Sequence, residues 1–183
     1  MAAKPADWAA DLLHIWFDQL EPSDWFSKND AVDAVLRDHF EDALKAADSL
    51  PISTFLTDPE TVCAAILLFD QIPRNIYRNN ARAFAFDAKA VRLAKAAIAK
   101  GWDEGLPEGW RQFVAMPLMH SENLADQEES AAYFGLHLPD NVAFALSHHA
   151  MIARFGRFPH RNTALGRKSS AEEQRATDEG FSW

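Results

Sequence analysis

Start and stop signals for helices recur along this chain. No segment alternates apolar and polar residues with the period of two that a half-buried strand requires. That confines the fold to helices packed on helices. "DWAADLLHIWFDQL" places Trp8, Leu12, Ile15 and Trp16 on one helical face, with Asp7 positioned to cap. "WF" at Trp25–Phe26 then anchors a loop, and a helix is predicted from about Asp30 to Ala47. In "TDPETVCAAILLFDQI" Asp58 caps the next helix and Pro59 takes its first position. Pro73 is expected to end or kink it.

"DAKAVRLAKAAIAKG" has Asp87 at the cap and Gly101 at the stop. After the loop "GWDEGLPEG", short helices are expected near Trp110 to Ala115 and from about Ser121 to Tyr133, and a longer one from Asp140 to Phe155. Pro117 separates the first two, Ser121 caps the second, and Gly156 closes the third in a left-handed turn. A capping box, Ser170 with Glu173, opens a last helix. The expectation is one all-α domain over residues 1–183, of about eight helices in antiparallel pairs.

With 48% apolar residues in 183, the chain can fill a core. Its longest apolar run, "VCAAILLF", is far shorter than the ~20 residues a membrane span needs. Cys63 is the sole cysteine, so neither an internal disulfide nor a cysteine zinc site is available. No secretion signal is legible at the N-terminus, and a cytoplasmic protein is expected. The tryptophans, Trp183 among them, are read first as core and second as a partner surface.

A net charge of −9 argues against nucleic-acid binding, which needs a basic face. The charge is unevenly spread, however. Residues 141–171 contain no Asp or Glu but hold Arg154, Arg157, Arg161, Arg167 and Lys168, without which the chain carries −14. Inside this run "RFGRFPHRN" interleaves arginines with phenylalanines, a glycine and a proline. Guanidinium groups with stems held in this way are either tethers to buried acids or a preorganised clamp for carboxylate or phosphate.

Two further polar clusters carry chemistry. In "FDQIPRNIYRNNAR" Asp70, Arg74 and Arg78 recur every four residues, with Asn75 beside the helix break, so either an Asp70–Arg74 pair or a presented arginine pair results. In "MPLMHSENLADQ" His120 and Glu122 form a candidate acid–base pair near a helix start. The "GxSxG" turn of serine hydrolases and the cysteine partner of zinc deaminases are both missing. His148 falls between Ile152 and Phe155 on an apolar stripe, with Phe144 nearby, as a satisfied core histidine or a third catalytic candidate. No "HExxH" spacing supports a metal, and no cofactor is expected.

Taken together, "LLHIWF", "LLFDQIPRNIYRNNARAFAFD", "MPLMHSENLADQ" and "IARFGRFPHRNTALGRKSSAEE" resemble the domain-of-unknown-function family 924, in that family's order and over nearly the whole chain. The resemblance implies a tetratricopeptide-like all-α superhelix and no established activity. It marks Asp70, Gln71, Pro73, Arg74, Asn75 and Arg78, then His120, Ser121, Glu122 and Gln127. It continues through His148, Arg154, Gly156, Arg157, Pro159, His160, Arg161, Asn162, Gly166 and Arg167. Phe55 stands where many relatives place a tryptophan.

The sequence thus predicts a binding scaffold in which Arg74, Asn75, Arg78, Arg154, Arg157, His160, Arg161, Asn162 and Arg167 line a concave pocket for a small anion or an acidic or C-terminal peptide. An enzyme acting on a phosphorylated or carboxylated metabolite through His120, Glu122 and His148 is one alternative. A purely structural arginine–carboxylate network is the other. Oligomeric state is not encoded in any pattern here.

Overall fold

The computed structural model describes residues 5–180, in which every regular element is helical. Helix α1 (Pro5–His14) runs into a π turn (Ile15–Gln19) where the sequence reads as one helix. The side chain of Asp7, expected to cap α1, and Trp183 lie outside the described residues. Residues expected as a loop form a one-turn helix, α2 (Pro22–Phe26). Its Trp25 indole N–H donates to the Trp16 carbonyl at 2.8 Å, inside the π turn.

Helix α3 (Asp30–Asp48) is capped by Asn29, whose side chain accepts from the amides of Ala31 and Val32. Helix α4 (Pro59–Ile76) starts on Asp58, which accepts from Thr61 N–H at 2.8 Å, with Pro59 first in the helix. The helix does not end at Pro73, one of the two outcomes expected there: Pro73 lies inside α4, which continues to Ile76. Only one backbone donor is missing at Pro73, while Ile72 and Ile76 remain buried, so packing outweighs the helix-breaking penalty. Helix α5 (Asp87–Ala99) takes Asp87 as its first residue, with Phe86 in the cap position, and the chain turns at Gly101 with φ +65°.

Pro117 is the second break that does not occur. Helix α6 (Glu108–His120) is one continuous element where a short helix ending at Pro117 was expected. Helix α7 (Leu124–His137) starts later than expected and is capped by Asn123, which accepts from Ala125 N–H, and not by Ser121. Ser121 instead donates to Asp126 Oδ2 at 2.6 Å and accepts from Asn123 N–H. Helix α8 (Val142–Phe155) ends on Gly156 in the left-handed conformation, φ +68°, and α9 (Ala171–Asp178) opens on the Ser170–Glu173 capping box. Both agree with the sequence reading. The described chain is an all-α fold of helices in packed pairs, α3 on α4, α4 on α5 and α7 on α8.

It packs as two compact units. One comprises the chain up to Arg78 together with Arg82–Pro117; the other comprises Asn79–Ala81 and the chain from Leu118 on. In the first, α4 is buried from Val62 to Pro73 and forms the centre of the core. Trp16, Phe40, Phe69 and Phe113 are fully buried with it. Trp8, Trp25, Trp102 and Trp110 pack against this core, so the described tryptophans are core residues. Phe55 is buried too, edge-on to Phe69 at 5.5 Å. In the second unit Met151, Ile152, Phe158 and Ala176 form an apolar cluster. Among the described residues, no helix is long and apolar enough to cross a membrane.

Candidate functional site

The second unit gathers five of the predicted site residues, Glu122, His148, His160, Arg161 and Arg167, around Phe158. Phe158, fully buried, follows Gly156 in "RFGRFPHRN", and its backbone is gripped from both sides. Its N–H donates to Glu122 Oε1 at 2.8 Å, and its carbonyl accepts from Arg167 Nη2 at 3.1 Å. Arg167 in turn grips Glu122 with both arms of its fork, at 2.8 and 2.9 Å. The Phe158 ring meets the rings of His148 and His160, each with centroids 5.6 Å away. The Arg161 guanidinium lies over the same ring at 4.5 Å, and Arg161 Nη2 donates to the His120 carbonyl at 2.9 Å. The rings of His120 and His148 are 6.2 Å apart.

Helix geometry explains the convergence. His120 is the last residue of α6, His148 faces inward from α8, and His160 and Arg161 occupy a single 3-10 turn stiffened by Pro159. Gln127 of α7, fully buried, donates to the carbonyls of Met119 and Ser121 at 2.6 and 2.7 Å, satisfying groups that the end of α6 leaves open. That fixes the stretch carrying His120.

The electrostatics divide the acid from the histidines. Burial would raise the Glu122 carboxyl, but the Arg167 fork, the Phe158 N–H and the charges of Arg167 and Arg161 outweigh it and hold the group below the usual carboxylate range. Glu122 is therefore a fixed anion with both oxygens engaged, and proton transfer through it would first have to open the Arg167 fork. His148 is buried, and its Nδ1–H donates to the Phe144 carbonyl at 2.8 Å. Burial first, then His120, push its pKa down to about 3 against that hydrogen bond, with His160 and Arg161 adding to the fall. Phe144, expected beside His148 on an apolar stripe, is exposed.

Arg157 is a tether. Its Nε and Nη2 engage Glu173 at 2.6 and 2.9 Å, and Nη2 also donates to the Lys168 carbonyl. The sequence identifies Glu173 only as a capping residue; the structure uses it twice, with Oε2 also accepting from Ser170 N–H. Asn162, buried, donates to Ser169 Oγ at 3.0 Å. Arg154 is exposed, over the Phe155 ring and 3.8 Å from Glu172.

Arg74, Asn75 and Arg78 belong to the first unit. Arg74 clasps Asp87 with both arms at 2.8 and 3.0 Å, donates to the Asp70 carbonyl, and lies 3.2 Å from the Asp70 carboxylate. The expected Asp70–Arg74 pair is thus present. Arg78 engages Asp33 on α3 through Nε and, at 2.9 Å, Nη2, which also donates to Asn75 Oδ1 at 3.2 Å. Among the described residues, no group of three or more His, Cys, Asp and Glu side chains is placed to hold a metal ion.

Comparison with known proteins adds a family and a fold. A structure titled as a protein of unknown function from Agrobacterium tumefaciens is similar to this chain with a TM-score of 0.90 and 35% identity, over 97% of this chain and 100% of that one. A search of curated proteins returns no match. The family model described as a bacterial protein of unknown function, DUF924, matches residues 12–180, and the chain belongs to that family.

Proposed function

We propose that the chain is a binding scaffold whose second unit takes a small anion, a phosphate or carboxylate, at the cluster of His120, His148, His160 and Arg161. The observation that carries the reading is geometric: in a chain of net charge −9, His148, His160 and Arg161 pack on the single Phe158 ring, and the His120 ring lies 6.2 Å from that of His148. His120 and His160 are half-buried. Arg157 and Arg167 act as positioning residues, because their forks are held by Glu173 and Glu122.

A thermal-shift screen of phosphate, polyphosphate, dicarboxylates and acidic peptides tests this. A ligand at 100 times its Kd adds about 2.7 kcal/mol, or roughly 5–10 °C for a chain of this size. His120→Ala and His160→Ala should each abolish the shift while leaving the ligand-free Tm nearly unchanged. If no anion moves the Tm, the reading fails. A shift that survives both substitutions would place the anion elsewhere.

A further inference from the structure

The first unit holds a cavity of about 380 Å³ that none of the polar motifs predicts, at the lower end of the size range for small-molecule sites. Its lining is divided by chemistry. Leu50, Pro51, Ile52 and Phe86 supply an apolar wall, while Lys89 and Arg92 of α5 supply two cations, with Asp48 alongside.

Lys89 is an unusual residue to find here. It is 8% exposed, with its ammonium 4.6 Å from the centre of the Phe69 ring. Two of its protons go to the Ala47 and Asp48 carbonyls, at 2.9 and 2.7 Å, closing the C-terminal end of α3. Among the described residues, the rest of the ammonium is met by ring faces alone, Phe69 and, at 5.7 Å, Phe55. Burial lowers its basicity, with Asp48 opposing and Arg92 reinforcing the fall. Arg92 is exposed and makes no ion pair or hydrogen bond among the described residues. A buried cation held by only two oxygen acceptors, a second cation nearby and an apolar wall together describe what a carboxylate on an apolar body would complete.

We propose that this cavity is a second binding site, for a small organic acid whose carboxylate meets Lys89 and Arg92 and whose apolar body lies against Ile52 and Phe86. The site is independent of the histidine cluster.

The test is a methyl NMR titration of the full chain with hexanoate, using hexylamine and hexanol as charge controls. Hexanoate should give saturable shifts at the methyls of Ile52, Leu50 and Ala88, and the two controls should not. Arg92→Ala, which removes an exposed side chain, should fold normally and bind about tenfold more weakly, the worth of one charge-assisted contact. Lys89→Met should abolish binding, but it also removes the α3 closure; Ala88→Phe, which adds a ring at the lining and keeps both cations, should weaken binding without that cost. His120→Ala should leave the titration unchanged. Absence of saturable shifts up to about 10 mM, a Kd corresponding to only about −2.7 kcal/mol, would overturn the proposal. So would equal binding of hexylamine or hexanol, undiminished binding in Ala88→Phe, or loss of binding in His120→Ala.

Discussion

Truncating Phe158 would remove a neighbour from His148, His160 and Arg161 at once, because all three pack on its ring. Phe158→Ala is therefore expected to destabilise the protein by about 3–5 kcal/mol, with urea denaturation as the measurement. Glu122→Gln tests the same hub from the backbone side. It keeps the shape but loses the charge-assisted grip of Arg167, at a cost of about 1.5–3 kcal/mol. Gly156 makes a different demand. Its φ of +68° strains any side chain, yet a β-carbon there would meet nothing within 4 Å. Gly156→Ala should cost only the conformational penalty, about 1–2 kcal/mol, with no steric addition. At this scale the sequence was informative about residue types and, apart from Asp70–Arg74, silent about partners. Gly156 could be read from its place after a helix, but nothing near Phe158 announces that an aromatic would organise the charged residues.

Among the elements, α9 depends most on polar attachments. Ala176 is its one buried apolar residue, and Glu173 fastens it to Arg157 and to its own capping box. Arg157→Ala should speed amide hydrogen exchange in Ala171–Asp178 towards that of a fraying end, while α4 amides, buried in the first unit's core, stay protected. Equal acceleration in both would show that Arg157 supports more than α9. The elements also show where local rules lose. Asp58, Asn29 and Ser170 cap as their side chains dictate, since a cap is decided within three or four residues. Pro73 and Pro117 do not break their helices, because each sits in a stretch whose burial offsets the lost hydrogen bond. Ser121 yields its expected cap to Asn123, two residues later, because its hydroxyl is engaged by Asp126.

For the molecule as a whole, His148 and Glu173 carry large shifts that shape the response to acid, with Glu122 and Asp58 also held below the usual carboxylate range. His148 has a folded pKa of about 3 against 6.5, so the unfolded chain binds its proton more readily. The stability it contributes is complete above 6.5 and is lost as pH falls from there to about 3. Glu173 is held at about 2 against 4.5, first by the Arg157 hydrogen bond and then by Ser170 N–H, and its share is lost between about 4.5 and 2. Denaturant midpoints measured from pH 7 to pH 2 should fall in two overlapping stages. His148→Leu should flatten the upper one, and Glu173→Gln should reduce the lower, to which Glu122 and Asp58 also contribute.

The sequence by itself determined the helical class, the caps at Asp58 and Ser170, the left-handed Gly156 and the family, because helix formation and capping depend on groups one turn apart. Beyond the Asp70–Arg74 pair, tertiary structure alone decided which acid an arginine would hold. Arg78 takes Asp33 and Arg167 takes Glu122, both across 45 residues of chain. It alone also set Lys89 beneath a cavity. Pairings at that range leave no periodic trace in a sequence; they follow from which helix faces are buried together, and that is settled only when the core packs.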